Sequence, residues 1–233
     1  MISIIIPVYN QAEKLIAALK SIALQKYTDY EVIIVNDGST DNVEQLFSAY
    51  SQTIKSDNRY VFLNQKNQGA PSARNRGWRE SRGEFLFFCD ADAVLRPEAL
   101  ETMISYLYYS VGISYAYSSF YWGKKLFRCG PFDANKLRRE PYIHTMALIR
   151  RADFPSVGWD EKIKKFQDWD LWLTMLEQGK IGYFIPQALF TISPGGTISS
   201  WLPSFAYKLL PFLPAAKKYQ AAKKVIMSKH GLS

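Results

Sequence analysis

The chain is poor in cysteine, with only Cys89 inside an apolar run and Cys129 beside Gly130-Pro131 among 233 residues. Two thiols in such settings form neither a disulfide framework nor a zinc spacing, so both are read as reduced and structural. Acidic residues are missing altogether from Trp201 to Ser233, where six lysines stand unbalanced. The net charge of +8 is therefore read chiefly as a property of this tail and of what the tail touches. Long apolar runs are absent too. From Trp201 to Ala216 the chain is aromatic and apolar, but Lys208 and the prolines Pro203, Pro211 and Pro214 interrupt it, which excludes a bilayer-spanning helix there. No basic-then-apolar leader opens the chain, because Ile2 to Val8 already reads as a strand; the expectation is a cytoplasmic protein. The lysines are not interleaved with base-stacking aromatics, so no nucleic-acid partner is expected. No repeat or low-complexity segment is found.

What is present is a chain 48% hydrophobic, enough for one large domain with or without an appendage. Its first half alternates two patterns. Ser3 to Tyr9, Tyr30 to Asn36, Tyr60 to Asn64 and Phe85 to Cys89 are near-continuous apolar runs, as expected of strands covered on both faces. Between them Gln11 to Gln25, Asp41 to Tyr50 and Ala70 to Ser81 carry apolar residues at helical spacing, such as Leu15, Leu19 and Ile22. Asn10 with Glu13, and Asp41 with Glu44, read as capping-box starts. Such alternation predicts an α/β fold with a mostly parallel sheet flanked by helices. Beyond it come a helix over Glu98 to Tyr109, an aromatic segment Ile113 to Phe127, a helix over Phe166 to Gly179, the strand-like "IGYFIP" and a glycine-rich "SPGGT".

Polar residues collect where the four strands end: Tyr9-Asn10, "NDGSTD", "NQKNQGAPSARNRG" and Asp90-Ala91-Asp92. In parallel sheets ligands bind at these carboxyl ends. Two carboxylates at i and i+2 of an extended segment point the same way and repel unless a cation or donors hold them. A divalent ion suits them, and such ions usually complete their shell with water and phosphate oxygens; a solvated, capped loop is the competing reading.

The stretches "IIIPVYN", "VIIVNDGSTD", "NQGAPSARNRG", "FCDAD" and "FQDWDLWL", in this order and spacing from about Met1 to Ser200, resemble the family-two glycosyltransferases of the Rossmann-like GT-A fold. The resemblance implies a nucleoside diphosphate sugar donor, UDP-sugar first, and Mn²⁺ or Mg²⁺ as cofactor. It places Pro7 and Tyr9 beside the base, Asp37 as acceptor of a base ring N–H, and Asn67 and Arg74 in the same pocket. It also places Asp90 on the ribose or a metal-bound water and Asp92 on the metal. Asp168 takes the place of the family's base, which deprotonates an acceptor hydroxyl in one inverting displacement. Tyr9 as packing, Arg74 as a surface ion pair and Asp168 as a helix N-cap are the structural alternatives; Asp41 is read as a cap and Asp170 as structural. A helix N-terminus also lowers a carboxylate's proton affinity, which weighs against Asp168 as base.

Gln167 stands where the family carries an acid, Thr174 where an arginine is common, Ser193 where many relatives have a histidine, and Ala93 for a frequent third aspartate. A catalytically impaired relative that binds nucleotide-sugar or a partner chain is thus the alternative. No "QxxRW" motif of processive synthases occurs, so one transfer per encounter is expected. A sugar nucleotidyltransferase would need a Gly-rich, Arg-bearing loop after the first strand, and "PVYNQAEK" supplies none. The expected layout is residues 1–110 for the donor, 111–200 for acceptor and catalysis, and 201–233 as a basic amphipathic extension. Phe212, Ala216, Tyr219, Ala222 and Ile226 share one face of that extension, so it lies on an anionic membrane surface or packs on the protein. In the first case a lipid-linked acceptor and peripheral location at the membrane follow; in both a glycan acceptor of surface polysaccharide assembly is expected.

Overall fold

A computed structural model describes residues 1–54, 59–194 and 213–232. The alternation read from the first half is realised as β1 (Ile2–Val8), α1 (Ala12–Ala23), β2 (Tyr30–Asn36), α2 (Val43–Thr53), β3 (Tyr60–Asn64), α3 (Ala70–Glu80) and β4 (Phe85–Phe88). There follow β5 (Ala93–Leu95), α4 (Ala99–Tyr109), β6 (Tyr115–Trp122), β7 (Lys125–Phe127), α5 (Ala134–Arg139) and β8 (Leu148–Arg150). The last elements are α6 (Gln167–Glu177), β9 (Gly182–Ile192) and α7 (Pro214–Lys229).

The described strands form one sheet of nine in the order β3-β2-β1-β4-β8-β6-β9-β5, with β7 added beside β6. Strands β1 to β4 pair in parallel, β8 runs against both β4 and β6, and β9 runs with β6. Among the described strands only β5, β7 and β8 oppose the common direction, so the sheet is mostly parallel, as expected. From β1 the chain moves outward to β2 and β3, then returns to place β4 on the other flank. That reversal opens a crevice at the carboxyl ends of β1 and β4.

Strands β1, β2 and β4 are apolar on both faces because helices cover both, and their Ile, Val and Phe side chains are almost wholly buried. Helix α3 lies unusually close to the sheet. A Cβ on Gly77 would stand 2.5 Å from Ile5 Cγ2 and 3.2 Å from Val35 Cγ2, so only glycine permits this approach. One turn earlier on the same helix, Arg74 is thereby carried to the crevice.

Helix α6 is anchored by two fully buried tryptophans. Trp169 Nε1 donates to Leu137 O (2.6 Å), Trp172 Nε1 donates to Ile143 O (3.1 Å), and the Trp172 ring stacks on Tyr115 at 4.5 Å. Truncating either would cost about 3–5 kcal/mol. These bonds tie the start of α6 to α5 and to the segment entering β8.

Helix α7 packs on the protein. Ala216 and Ile226 are buried, Tyr219 meets Phe166 edge-on at 5.0 Å, and Lys223 Nζ donates to Arg139 O (2.9 Å). At its end Lys229 Nζ lies 2.7 Å from Asp170 Oδ1 and 2.8 Å from Asp160 Oδ2, while the His230 ring bridges Asp170 (2.9 Å) and Glu177 (2.7 Å). Asp170 is thus engaged in holding the end of α7, and residues 213–232 of the extension pack on the protein, while residues 201–212, Phe212 among them, lie outside the described residues. No described helix is long and apolar enough to cross a membrane.

Candidate active site

The carboxyl ends of the strands border a cavity of about 710 Å³. Of the eight expected site residues, Pro7, Tyr9, Asp37, Arg74, Asp90, Asp92 and Asp168 line it. Asn67 does not: its side chain is exposed on the loop before α3 while its backbone faces Gly38.

The turn after β2 is built for close approach. Gly38 has φ +73°, and a Cβ there would sit 2.8 Å from Asn67 N, so the β2–α2 and β3–α3 loops touch backbone to backbone. Asp37 joins them: Oδ1 accepts from Gln65 Nε2 (2.8 Å) and Gln68 N (2.9 Å), and Oδ2 accepts from Gly69 N (2.8 Å). A carboxylate offers about four lone-pair positions, so the same group that organises the loop retains one for a ligand donor. Asn10 and Asp41 do not cap their own helices. Asn10 Oδ1 accepts from Thr40 N (2.7 Å), and Asp41 Oδ2 accepts from Ala12 N (2.9 Å) at the start of α1. Asp41 thus caps α1 and Asn10 ties down the β2–α2 loop, each across to the other loop because the two lie side by side, a proximity that local spacing does not show.

Asp90 and Asp92 are brought together by a turn, with Ala93 N donating to Asp90 O (3.1 Å), and not by strand alternation; β4 already ends at Phe88. Asp90 Oδ1 accepts from Arg74 Nη2 (3.1 Å), while Arg74 Nη1 donates to Gln167 Oε1 (2.9 Å). The guanidinium is buried over the Trp159 ring at 4.8 Å, and its Nε has no partner among the described residues. Gln167 therefore performs the geometric task of an acid toward Arg74 and leaves the full positive charge to Asp90. Thr174 turns its hydroxyl back onto Asp170 O (2.9 Å), and Ser193 N donates to Asp92 O (2.9 Å), which keeps Ser193 on the cavity wall.

Asp92 is 9% exposed, and burial together with the Asp90 charge pushes its carboxyl up to about 6. A buried carboxylate opposed by Lys14 alone is short of positive charge. Among the described residues no three or more His, Cys, Asp or Glu converge into a protein-only cage. Two carboxylates on one turn fit a hard divalent ion such as Mg²⁺ or Mn²⁺, whose remaining positions go to water and phosphate oxygens.

Asp168 lies in the first turn of α6 but is not its N-cap, which is Phe166 in the left-handed region at φ 60°. Asp168 Oδ1 accepts from Trp169 N (2.9 Å). Burial raises its carboxyl above the usual carboxylate range, against the opposing pull of His144, that N–H and Arg74. The helix N-terminus thus loses to desolvation, and the group keeps the proton affinity a base needs.

His144 was not anticipated. Its ring packs against Phe120 (4.7 Å) and Phe190 (5.5 Å), and burial lowers its pKa. Met146 N donates to its Nδ1 (3.2 Å), so the neutral ring carries its proton on Nε2, which faces Asp90 Oδ2 at 3.7 Å. Strand β8 runs against its neighbours, and this brings the residues before it to the crevice. A lone histidine ahead of a short apolar run gives no sign of that direction.

Residues 3–154 match the model of glycosyl transferase family 2. An uncharacterised glycosyltransferase of Rickettsia conorii is 28% identical over 196 residues, covering 78% of this chain and 31% of its own length. The putative glycosyltransferase EpsH of Bacillus subtilis is 37% identical over 103 residues, 44% of this chain and 29% of its own. The chain spans about a third of the length of such relatives. Among solved structures, S. aureus TarS 1–349 in complex with UDP-GlcNAc superposes with a TM-score of 0.71 at 18% identity, over 98% of this chain and 71% of that one. The Pyrobaculum calidifontis mannosyltransferase PcManGT, in complex with GDP-Man and Mn²⁺, gives 0.69 at 16% identity, over 96% and 75%. At these identities the structural likeness speaks for the fold, and with the family match it settles membership: the chain belongs to glycosyltransferase family 2 and has the GT-A fold.

Proposed function

We propose that this protein is an inverting glycosyltransferase that moves one sugar per encounter from a nucleoside diphosphate sugar, a UDP-sugar first, to a hydroxyl of a glycan or lipid-linked acceptor in surface polysaccharide assembly. The observation that carries this reading is that two acids of different setting line one cavity: Asp92 on the turn after β4, suited to a cation, and Asp168 in the first turn of α6. UDP and GDP-mannose occupy similar folds in TarS and PcManGT, which supports a nucleotide-sugar donor.

Residues 1–110 hold the donor. Pro7 and Tyr9 border its base, Asp37 accepts from a base N–H with its remaining lone pair, and Asp90 takes the ribose or a metal-bound water. Asp92, with Asp90 beside it, holds Mn²⁺ or Mg²⁺, which when bound stabilises negative charge on the departing diphosphate. Arg74 fixes Asp90 and lends positive charge to that side. Residues 111–200 supply the acceptor side. Asp168 takes the proton of the attacking hydroxyl as its oxygen bonds to the anomeric carbon; the bond from that carbon to the diphosphate breaks, and the diphosphate leaves with the electron pair. One displacement inverts the anomeric configuration. His144, neutral with its Nε2–H facing Asp90 Oδ2 at 3.7 Å, borders that carboxylate on the side away from Arg74.

Asn67 stays in the proposal as a residue of the donor pocket, although its side chain is exposed on the loop before α3. The basic helix α7 bears on location: its exposed lysines favour a cytoplasmic protein held peripherally at an anionic membrane. The deciding experiment is a transfer assay with a panel of nucleotide-sugars. Turnover lost in Asp168→Asn with donor binding kept supports an enzyme; donor binding without turnover in either form supports the catalytically impaired relative.

A further inference from the structure

The cavity is lined by charges of both signs. Asp37, Asp90 and Asp92 line its donor half, where Arg74 is already engaged by Asp90 and Gln167, and Asp168 lines its acceptor half. Arg128, Lys164 and Lys165 line the same cavity, are exposed, and have no side-chain hydrogen bond or ion pair among the described residues. The acids that precede the two lysines are committed elsewhere: Asp160 pairs with Lys229 (2.8 Å), and Glu161 accepts from Asn75 Nδ2 (2.9 Å). From Lys124 to Arg139 there are six basic residues and one acid, and that acid, Asp133, caps α5. The positive charge assigned to the tail from the sequence is therefore shared by this rim.

Position gives the charge its meaning. Lys164 and Lys165 immediately precede the left-handed Phe166 from which α6 and Asp168 begin. Arg128 follows the β6–β7 hairpin, whose Trp122 pairs with Lys125 and also lines the cavity. Trp122 Nε1 is buried without an acceptor among the described residues. An acceptor hydroxyl at Asp168 would carry its neighbouring groups past lysines of the same short segment. Resting on the transferase reading above, we propose that Arg128, Lys164 and Lys165 form an anion subsite for a phosphoryl group borne by the acceptor, either within a glycan phosphate or at the head of a lipid phosphate.

The test uses the full chain saturated with UDP and Mn²⁺, so that the donor's own phosphate positions are filled. N-acetylglucosamine 1-phosphate is compared with N-acetylglucosamine by NMR titration, and phosphatidylcholine vesicles with and without phosphatidic acid are compared by flotation. The proposal expects the phosphorylated member of at least one pair to bind at least about tenfold more tightly, with salt weakening the difference. It expects R128Q/K164Q/K165Q to erase that difference with UDP affinity and melting temperature unchanged, since these side chains are exposed and unbonded. Binding through the soluble pair places the phosphate in a glycan; binding through the vesicles alone places it on a lipid. Equal binding of both members, or a preference that survives the triple variant, overturns the proposal while the donor reading stands. Loss of UDP affinity in the triple variant, or vesicle binding that follows removal of 213–232 and not the three cations, also overturns it. Failure of the wild type to bind UDP overturns both readings.

Discussion

Replacing Asp168 by Asn keeps the volume and leaves an oxygen for the Trp169 N–H, but removes the group that takes the acceptor's proton. A positioned general base contributes about 10²–10⁴ in rate, which at about 1.36 kcal/mol per tenfold is about 3–5 kcal/mol of barrier. Donor affinity should be unchanged. Stability moves the other way. Burial raises the Asp168 pKa in the fold, so the folded state binds that proton more tightly than the unfolded chain. Stability from this acid is present at low pH and is lost as pH rises through the folded value, so at neutral pH the ionised group destabilises the fold. Asp168→Asn should therefore melt at the same or a higher temperature while transfer falls by at least about a hundredfold. For the wild type with metal bound, kcat/KM should decline on the acid side with a midpoint above the ordinary aspartate value of about 4, and the residual rate of the variant should lack that limb. UDP release from a panel of UDP-sugars, measured beside thermal melts, reads all three. A variant that keeps more than about a tenth of the wild-type rate, or that loses rate only because it unfolds, would refute the assignment.

Asp92→Asn should weaken Mn²⁺-dependent UDP binding by at least about tenfold, with little effect on UDP binding in chelator; calorimetry with and without Mn²⁺ checks it. Gly77→Ala sets a methyl against Ile5 Cγ2 and pushes α3 off the sheet. It should cost about 1–3 kcal/mol and lower UDP affinity through Arg74, which melts and titration read together. The His230 pKa is raised by its hydrogen bonds to Asp170 and Glu177 against the lowering effect of burial, with Lys229 on the same Asp170. Its contribution is fully present below the unfolded value of about 6.5 and is lost as pH rises through the raised folded value. The stability difference between wild type and His230→Gln should therefore shrink toward alkaline pH. Asp170→Asn should cost about 1–3 kcal/mol, less than a fully buried pair because Lys229 is 35% exposed.

The parallel half was legible because each strand and helix there declares itself over a few residues. Ile2–Val8 and Tyr30–Asn36 are apolar throughout, and Leu15, Leu19 and Ile22 mark the buried face of α1. Strand ends then told which polar residues share an edge, and seven of eight expected residues line one cavity. What escaped depends on contacts between distant segments. His144 reaches the site because β8 is reversed, Asp41 caps a helix other than its own, and Asp90 and Asp92 converge through a turn. The charge rim at Arg128, Lys164 and Lys165 becomes visible only once the hairpin and the α6 entry are known to border one space and their neighbouring acids to be engaged. The proton affinity of Asp168 likewise follows from three-dimensional burial, which outweighs the helix terminus that the chain does reveal.

The central claim is that the carboxylates after β4 hold a cation against the diphosphate of a nucleotide. Crystals grown with UDP and Mn²⁺, with data collected at the manganese edge, test it directly. The account predicts an anomalous peak at Asp92 with diphosphate oxygens bound to the same ion and the base beside Pro7 and Tyr9. Manganese and nucleotide found together away from Asp90 and Asp92 would contradict it.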